Sequence, residues 1–211
     1  MTEWYRNRHW SEEIEAEFER RLSRSRDAEQ KLKIQGYELL ESDPQVAARL
    51  LERCADLDGE WAAAACLYLA QALLRMGDHG SLAALDRALA EQQRPSRIQT
   101  DARTDWLLLV AMLGARKRYR EALACMTAIK TSGLPGLVEE RIAEALIRDD
   151  LGEREVSRPL ARSALTELTD LSGNEPSHGS LIESLLGRLR AIASACPRFA
   201  TGPVWSRRTQ C

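Results

Sequence analysis

Aromatic residues are scarce, at 5% of the chain, and only two of them are Phe. A core with few large rings must be filled by Leu and Ala. That choice suits helices packed closely on helices, because Ala lets backbones approach and Leu fills the grooves between them. β-Branched residues are also sparse, and no stretch alternates apolar and polar side chains, so the pattern offers no strand. No uncharged apolar run is long enough to span a bilayer. Met1-Thr2-Glu3-Trp4-Tyr5-Arg6 lacks the apolar stretch of a secretory leader, so a cytoplasmic location and no membrane partner are expected.

A field of one sign is missing too. The chain has 30 basic and 32 acidic residues, for a net charge of −2. The best candidate for a basic stripe is Arg20, Arg21, Arg24, Arg26, Lys31 and Lys33, but Glu12, Glu13, Glu15, Glu17 and Glu19 come directly before it. Acid first and base last is what a helix dipole favours, and Glu17 stands one turn before Arg21. The cluster therefore reads as a solvated helix face rather than a phosphate-neutralising stripe, and no nucleic-acid partner is expected. The five cysteines are odd in number and never spaced as Cys-x-x-Cys. Cys54, Cys66 and Cys125 lie in apolar helical runs, where a free thiol packs as a small hydrophobe. This is not a disulfide framework.

What is present is helical periodicity along 211 residues, 44% of them apolar and 29% charged. Ser11 stands as an N-cap before Ile14, Phe18 and Leu22. A second helix is expected over 27–41, with Leu32, Ile34, Tyr37 and Leu40. Asp43-Pro44 combines a capping side chain with a proline at the first helical position, and Val46, Ala47, Leu50, Leu51, Cys54 and Leu57 follow on one face. A long run from Trp61 to Met76 breaks at Gly77-Asp78 and resumes with Leu82, Leu85 and Leu89. Pro95 marks another break. Trp106, Leu109, Val110 and Leu113 form the next helix, with Tyr119, Ala122, Leu123, Met126 and Ile129 as its partner. Beyond the 133–136 turn come Val138, Ile142, Ala145 and Leu146, then Gly152, then Leu160, Ala164, Leu165 and Leu168. A polar 172–180 loop precedes a last helix with Leu181, Leu185, Leu189 and Ile192. The reading is about ten antiparallel helices in hairpins within one domain over 1–196. It divides into an N-terminal helical cap (1–42), degenerate repeats (44–171) and a C-terminal capping helix (178–196), ahead of a disordered tail (197–211).

The middle of the chain resembles the tetratricopeptide repeat. Trp106-x-x-Leu109-Val110-x-x-Leu113 matches the first-helix pattern of that family, and Tyr119-x-Glu121-Ala122 matches the start of its second helix. Cys66, Leu69, Ala70 and Leu73 occupy the same first-helix slots upstream, followed by a Gly77-Asp78 turn. The step is about forty residues rather than the family's 34, and Val110 stands where Gly is usual. The opening, with Trp4-Tyr5-Arg6, Trp10, Phe18, Arg21-Leu22, Arg24, Arg26, Gln30, Leu32 and Ile34-Gln35, resembles that of small bacterial proteins of this kind. The resemblance implies an all-α, right-handed solenoid whose first helices line a groove for a protein partner, and such proteins include adaptors and immunity proteins that mask a toxin. Transferred onto matching positions, it places Leu67, Gln71, Arg75, Thr104 and Leu107 in the groove.

Catalytic chemistry finds little support. His9, His79 and His178 have no ligand-spaced partners, and Asp56-Leu57-Asp58-Gly59-Glu60 lacks the closing Glu of a calcium loop. Arg148-Asp149-Asp150 lacks an acid/base partner, and there is no phosphate-cradling glycine loop or nucleophile elbow. No enzyme activity, cofactor or metal is expected. Trp61 and Trp106 begin apolar faces and read as core. Trp4 and Trp10 either staple the first helix or face a partner. The favoured function is a non-enzymatic protein-binding module. Its alternatives are a structural protein that forms a homodimer through the Leu181–Ile192 helix, and an enzyme with an unrecognised site.

Overall fold

The computed structural model describes residues 3–95, 97–131, 137–171 and 180–194. The expectations placed on the 133–136 turn, the 172–179 loop with His178, and the tail with Cys196, Trp205 and Cys211 lie outside the described residues, as do those on the side chains of Ile129 and Leu181. The described chain is all-α. In order come α1 (Glu12–Leu22), α2 (Ala28–Glu38), α3 (Pro44–Asp56), α4 (Ala62–Arg75), α5 (Ser81–Gln92), α6 (Ala102–Met112), α7 (Tyr119–Thr131), α8 (Val138–Asp150), α9 (Arg154–Leu171) and α10 (Ser180–Ser194). A single 3-10 turn, Arg116–Arg118, leads into α7. The chain divides into two compact units, Met1–Thr131 and Ser132–Cys211.

In the first unit α2 to α6 pack consecutively on one another. Local chemistry sets the helix starts. Ser11 accepts the N–H of Ile14, and Asp43 accepts that of Val46 ahead of Pro44, each satisfying a donor the helix cannot. Small residues set the approach of the helices. Ala47, Ala62, Ala63 and Ala65 are all fully buried, and a Cβ on Gly36 would lie 2.6 Å from Cγ of Leu51, so α2 and α3 touch there. The N-terminal segment is tied to α2 through Gln35. Its amide oxygen accepts both the backbone and side-chain N–H of Asn7, at 3.0 Å each, and its NH2 donates to the Asn7 carbonyl at 2.7 Å. Trp4 and Trp10 close over Phe18, with ring centroids 5.5 and 5.6 Å away, so they staple α1 to the fold.

In the second unit α8 packs against both α9 and α10. Ala143, Ala145, Leu146 and Ile147 of α8 are fully buried, together with Ala161, Ala164 and Leu189 from its neighbours.

One helix ending recurs through the chain. The C-caps of α2, α4, α6 and α8 are Leu39, Met76, Leu113 and Leu151, at steps of 37, 37 and 38 residues. The last three are followed by Gly77, Gly114 and Gly152, with φ of 70°, 60° and 82°. In each, the next N–H reaches back to a carbonyl five residues earlier: Asp78 to Leu73 at 2.9 Å, Ala115 to Val110 at 3.0 Å and Glu153 to Arg148 at 2.8 Å. This is the Schellman ending, which needs a left-handed residue.

A second recurrence links helices to the next but one. Glu15 and Glu19 of α1 pair with Arg49 and Arg53 of α3, and Asp56 of α3 pairs with Arg87 of α5. Asp86 of α5 pairs with Arg118 before α7. Glu41 just beyond α2 pairs with Arg75 of α4, and Gln71 of α4 donates to Asp105 of α6. The partners stand 31 to 34 residues apart.

Candidate interaction surface

The side chains that connect α2, α4 and α6 share a face. On α4, Tyr68, Gln71 and Arg75 are spaced three and four residues apart and therefore lie along one stripe. Tyr68 meets Tyr37 of α2 with ring centroids 4.9 Å apart and planes tilted by 53°. Gln71 donates to Asp105 of α6 at 3.3 Å, and Arg75 binds Glu41. Tyr37 is 52% exposed, although its helical spacing had placed it in the core. Burial first, then the neighbouring Tyr37 and Asp101, raise the pKa of Tyr68 above its ordinary 10.0, so it stays a neutral phenol. Asp101 is the N-cap residue of α6, yet its carboxylate makes no capping bond to that helix and stays exposed.

The groove expected from the sequence is split by the structure. Leu107 is fully buried, Leu67 is 6% exposed and Thr104 is 9% exposed. Gln71 is half-buried and Arg75 is exposed, both on the α4 stripe. The three buried positions each precede an outward neighbour by one residue: Tyr68 for Leu67, Asp105 for Thr104 and Leu108 for Leu107. One residue turns a helix by about 100°. The slot-by-slot transfer therefore put those three positions on the buried sides of α4 and α6. Around them α6 is apolar on every side, and Trp106, Leu107, Leu109, Val110 and Ala111 are all buried, as expected of a sandwiched helix.

The remaining candidate chemistry resolves into structural contacts. Trp106 donates to Asp86 at 2.8 Å, and Arg118 lies 5.1 Å from the Trp106 ring while pairing with the same carboxylate. Trp61 is only half-buried. Its backbone N–H is accepted by the Glu29 carboxylate at 2.8 Å, and Lys33 sits 4.0 Å over its ring. In the Asp56–Glu60 turn, Asp56 binds Arg87 while Asp58 binds Arg94 and Arg97, so its carboxylates are taken by arginines. Asp150 lies 3.3 Å from Arg188, and Arg148 bridges Glu144 and Glu153. His9 and His79 are exposed. Burial pushes the Cys54 thiol up to about 12 and that of Cys66 to about 11, which keeps both protonated and poor as nucleophiles. Among the described residues no group of three His, Cys, Asp or Glu side chains is placed to hold a metal. No helix among them is long and apolar enough to cross a membrane.

No protein-family model, curated protein or solved structure matches the chain. The surface must therefore be read from its own chemistry. It offers one exposed and one half-buried tyrosine ring, amide and carboxylate groups and one guanidinium, contributed by α2, α4, α6 and the turns beside them. Helical spacing in the sequence groups Tyr37 with the apolar positions of its helix and so misses this face.

Proposed function

We propose that this protein is a non-enzymatic protein-binding module, a right-handed solenoid of tetratricopeptide-like hairpins whose α2, α4 and α6 face receives a protein partner. The observation that carries the proposal is the step of 37 and 38 residues between the equivalent glycine endings of α4, α6 and α8. A helical repeat near this length is what stacked hairpins produce, because a single hairpin cannot bury its apolar face alone. Links from each helix to the next but one support the same arrangement, since stacked hairpins bring like helices side by side. Adaptors and immunity proteins that mask a toxin are the functional types this architecture suits.

The test is affinity capture from the native cell with mass spectrometry, comparing the wild type with the Gln71→Ala/Arg75→Glu double variant. Both residues lie on the α4 stripe outside the fully buried core, so the variant is expected to fold, which circular dichroism checks. One dominant protein captured by the wild type and lost from the variant is the expected result. A partner retained by the variant moves binding to another face. Self-association with no captured partner replaces this reading with the homodimeric one.

A further inference from the structure

Resting on the binding-module reading, we infer that the Tyr37–Tyr68 pair, with Asp101 beside it, is the seat for a cationic side chain of the partner, an arginine above all. Two features point there. The first is aromatic. Rings from two different helices meet at 4.9 Å, and more than half of Tyr37 is open to solvent. The pair thus presents π surface that no neighbouring helix covers. Guanidinium groups stack on such faces, and tyrosine carries a large share of binding energy where it is rigidly held.

The second feature is the sign of the charge around the rings. Asp101 lies close enough to Tyr68 to help raise its pKa. Its carboxylate is exposed and is not spent on capping α6. Asp105 stands one helical turn further along the same helix, receiving the Gln71 amide. Arg75, the cation on the α4 stripe, is paired with Glu41. Asp101 thus sets an unneutralised carboxylate charge beside Tyr68. An acidic or phosphorylated segment would be repelled, and a purely apolar one would leave Asp101 desolvated and unpaired. An arginine can lay its plane on a ring and turn its N–H groups to the carboxylate at once.

The chain has four tyrosines, so ring signals can be assigned one by one. The experiment is NMR titration of the full chain, 13C-labelled at tyrosine, with three capped Gly-Ser peptides carrying arginine, lysine or glutamate at the same positions. The expected result is a saturating shift of the Tyr37 and Tyr68 rings with the arginine peptide and a weaker one with lysine. The glutamate peptide leaves them unmoved. Asp101→Lys is expected to weaken the arginine peptide about tenfold or more, while the Tyr5 and Tyr119 signals show that the fold is kept. Rings unmoved by the arginine peptide at millimolar concentration overturn the inference. So do equal shifts with the glutamate peptide, or unchanged affinity in Asp101→Lys. A captured cellular partner that still binds Asp101→Lys leaves the module reading standing and removes only this seat.

Discussion

Gln35 is fully buried and polar, and it makes three hydrogen bonds with one residue, Asn7. Truncation to Ala would leave the Asn7 N–H groups facing an apolar gap and leave the N-terminal segment tied to α2 mainly through the Arg6 and Arg8 pairs with Glu38. Gln35→Ala is expected to cost about 3 kcal/mol in urea unfolding. Asn7→Ala is expected to cost less, since two of the three bonds use its backbone N–H and carbonyl and survive the truncation. Glu29 gives a pH-dependent counterpart. Burial raises its pKa above 4.5 despite the Trp61 N–H that it accepts. The folded state then holds a proton that the unfolded chain has released, so stability falls as pH climbs through the window above 4.5. Glu19 has the opposite sign. Its hydrogen bond to Arg53 lowers its pKa, and the stability it contributes is complete above the ordinary value and lost as pH falls through the lowered one. Glu29→Gln keeps an acceptor for Trp61 while removing the charge. Its melting temperature relative to the wild type is expected to rise as pH goes from 4.5 toward neutrality, and a difference constant with pH would refute the assignment. Neither residue stood out in the sequence, because each acts on a segment about thirty residues away.

At the scale of the helix and its turn, more was legible. Ser11, Asp43-Pro44 and the glycine endings name their own roles, since capping and left-handed backbone depend on the residue itself. Gly77 and Gly152 have nothing within 4 Å of a built Cβ, so replacement meets no steric obstacle, only the left-handed backbone. Gly77→Ala and Gly152→Ala are each expected to cost about 1 kcal/mol, and the two to add, because they lie in different units. Gly36 works by contact instead. Its Cβ would strike Leu51, so Gly36→Ala forces α2 from α3 at a cost of about 1–3 kcal/mol. Leu51→Val, which frees a little room, should make the pair less than additive, and full additivity in a double-mutant cycle would show that the contact is not the cause. Nothing in the sequence marks Gly36 as a crossing point, since a glycine inside a helix reads only as a weak helix former. The phase of the exposed stripe was hidden for a related reason. Periodicity says that a face exists, but in a run apolar all round, such as 106–110 of α6, it cannot say which side meets solvent.

Across the whole molecule, stability should follow burial rather than the many ion pairs. The pairs joining α1 to α3 involve side chains 38% to 52% exposed, a setting in which each contributes about 0–1 kcal/mol. The interior, by contrast, is mostly Ala and Leu, whose abundance in the sequence was the clearest guide to the fold class. α4 buries Ala62 through Leu67, Leu69, Ala70 and Ala72, and it packs against both α3 and α5. α1 buries only Phe18 and Leu22. Opening α1 exposes two large side chains and a few solvated ion pairs, whereas opening α4 strips the contacts of both its neighbours. Hydrogen exchange followed by mass spectrometry should therefore rank α4 slowest in the first unit and α1 fastest among its helices, with the order kept in 0.5 M salt as in low salt (~0.05 M). If salt instead speeds exchange in α3 and α5 as much as in α1, the ion-pair ladder is carrying the stack. The small-residue packing of α4 would then be a consequence of the helix spacing, not its cause.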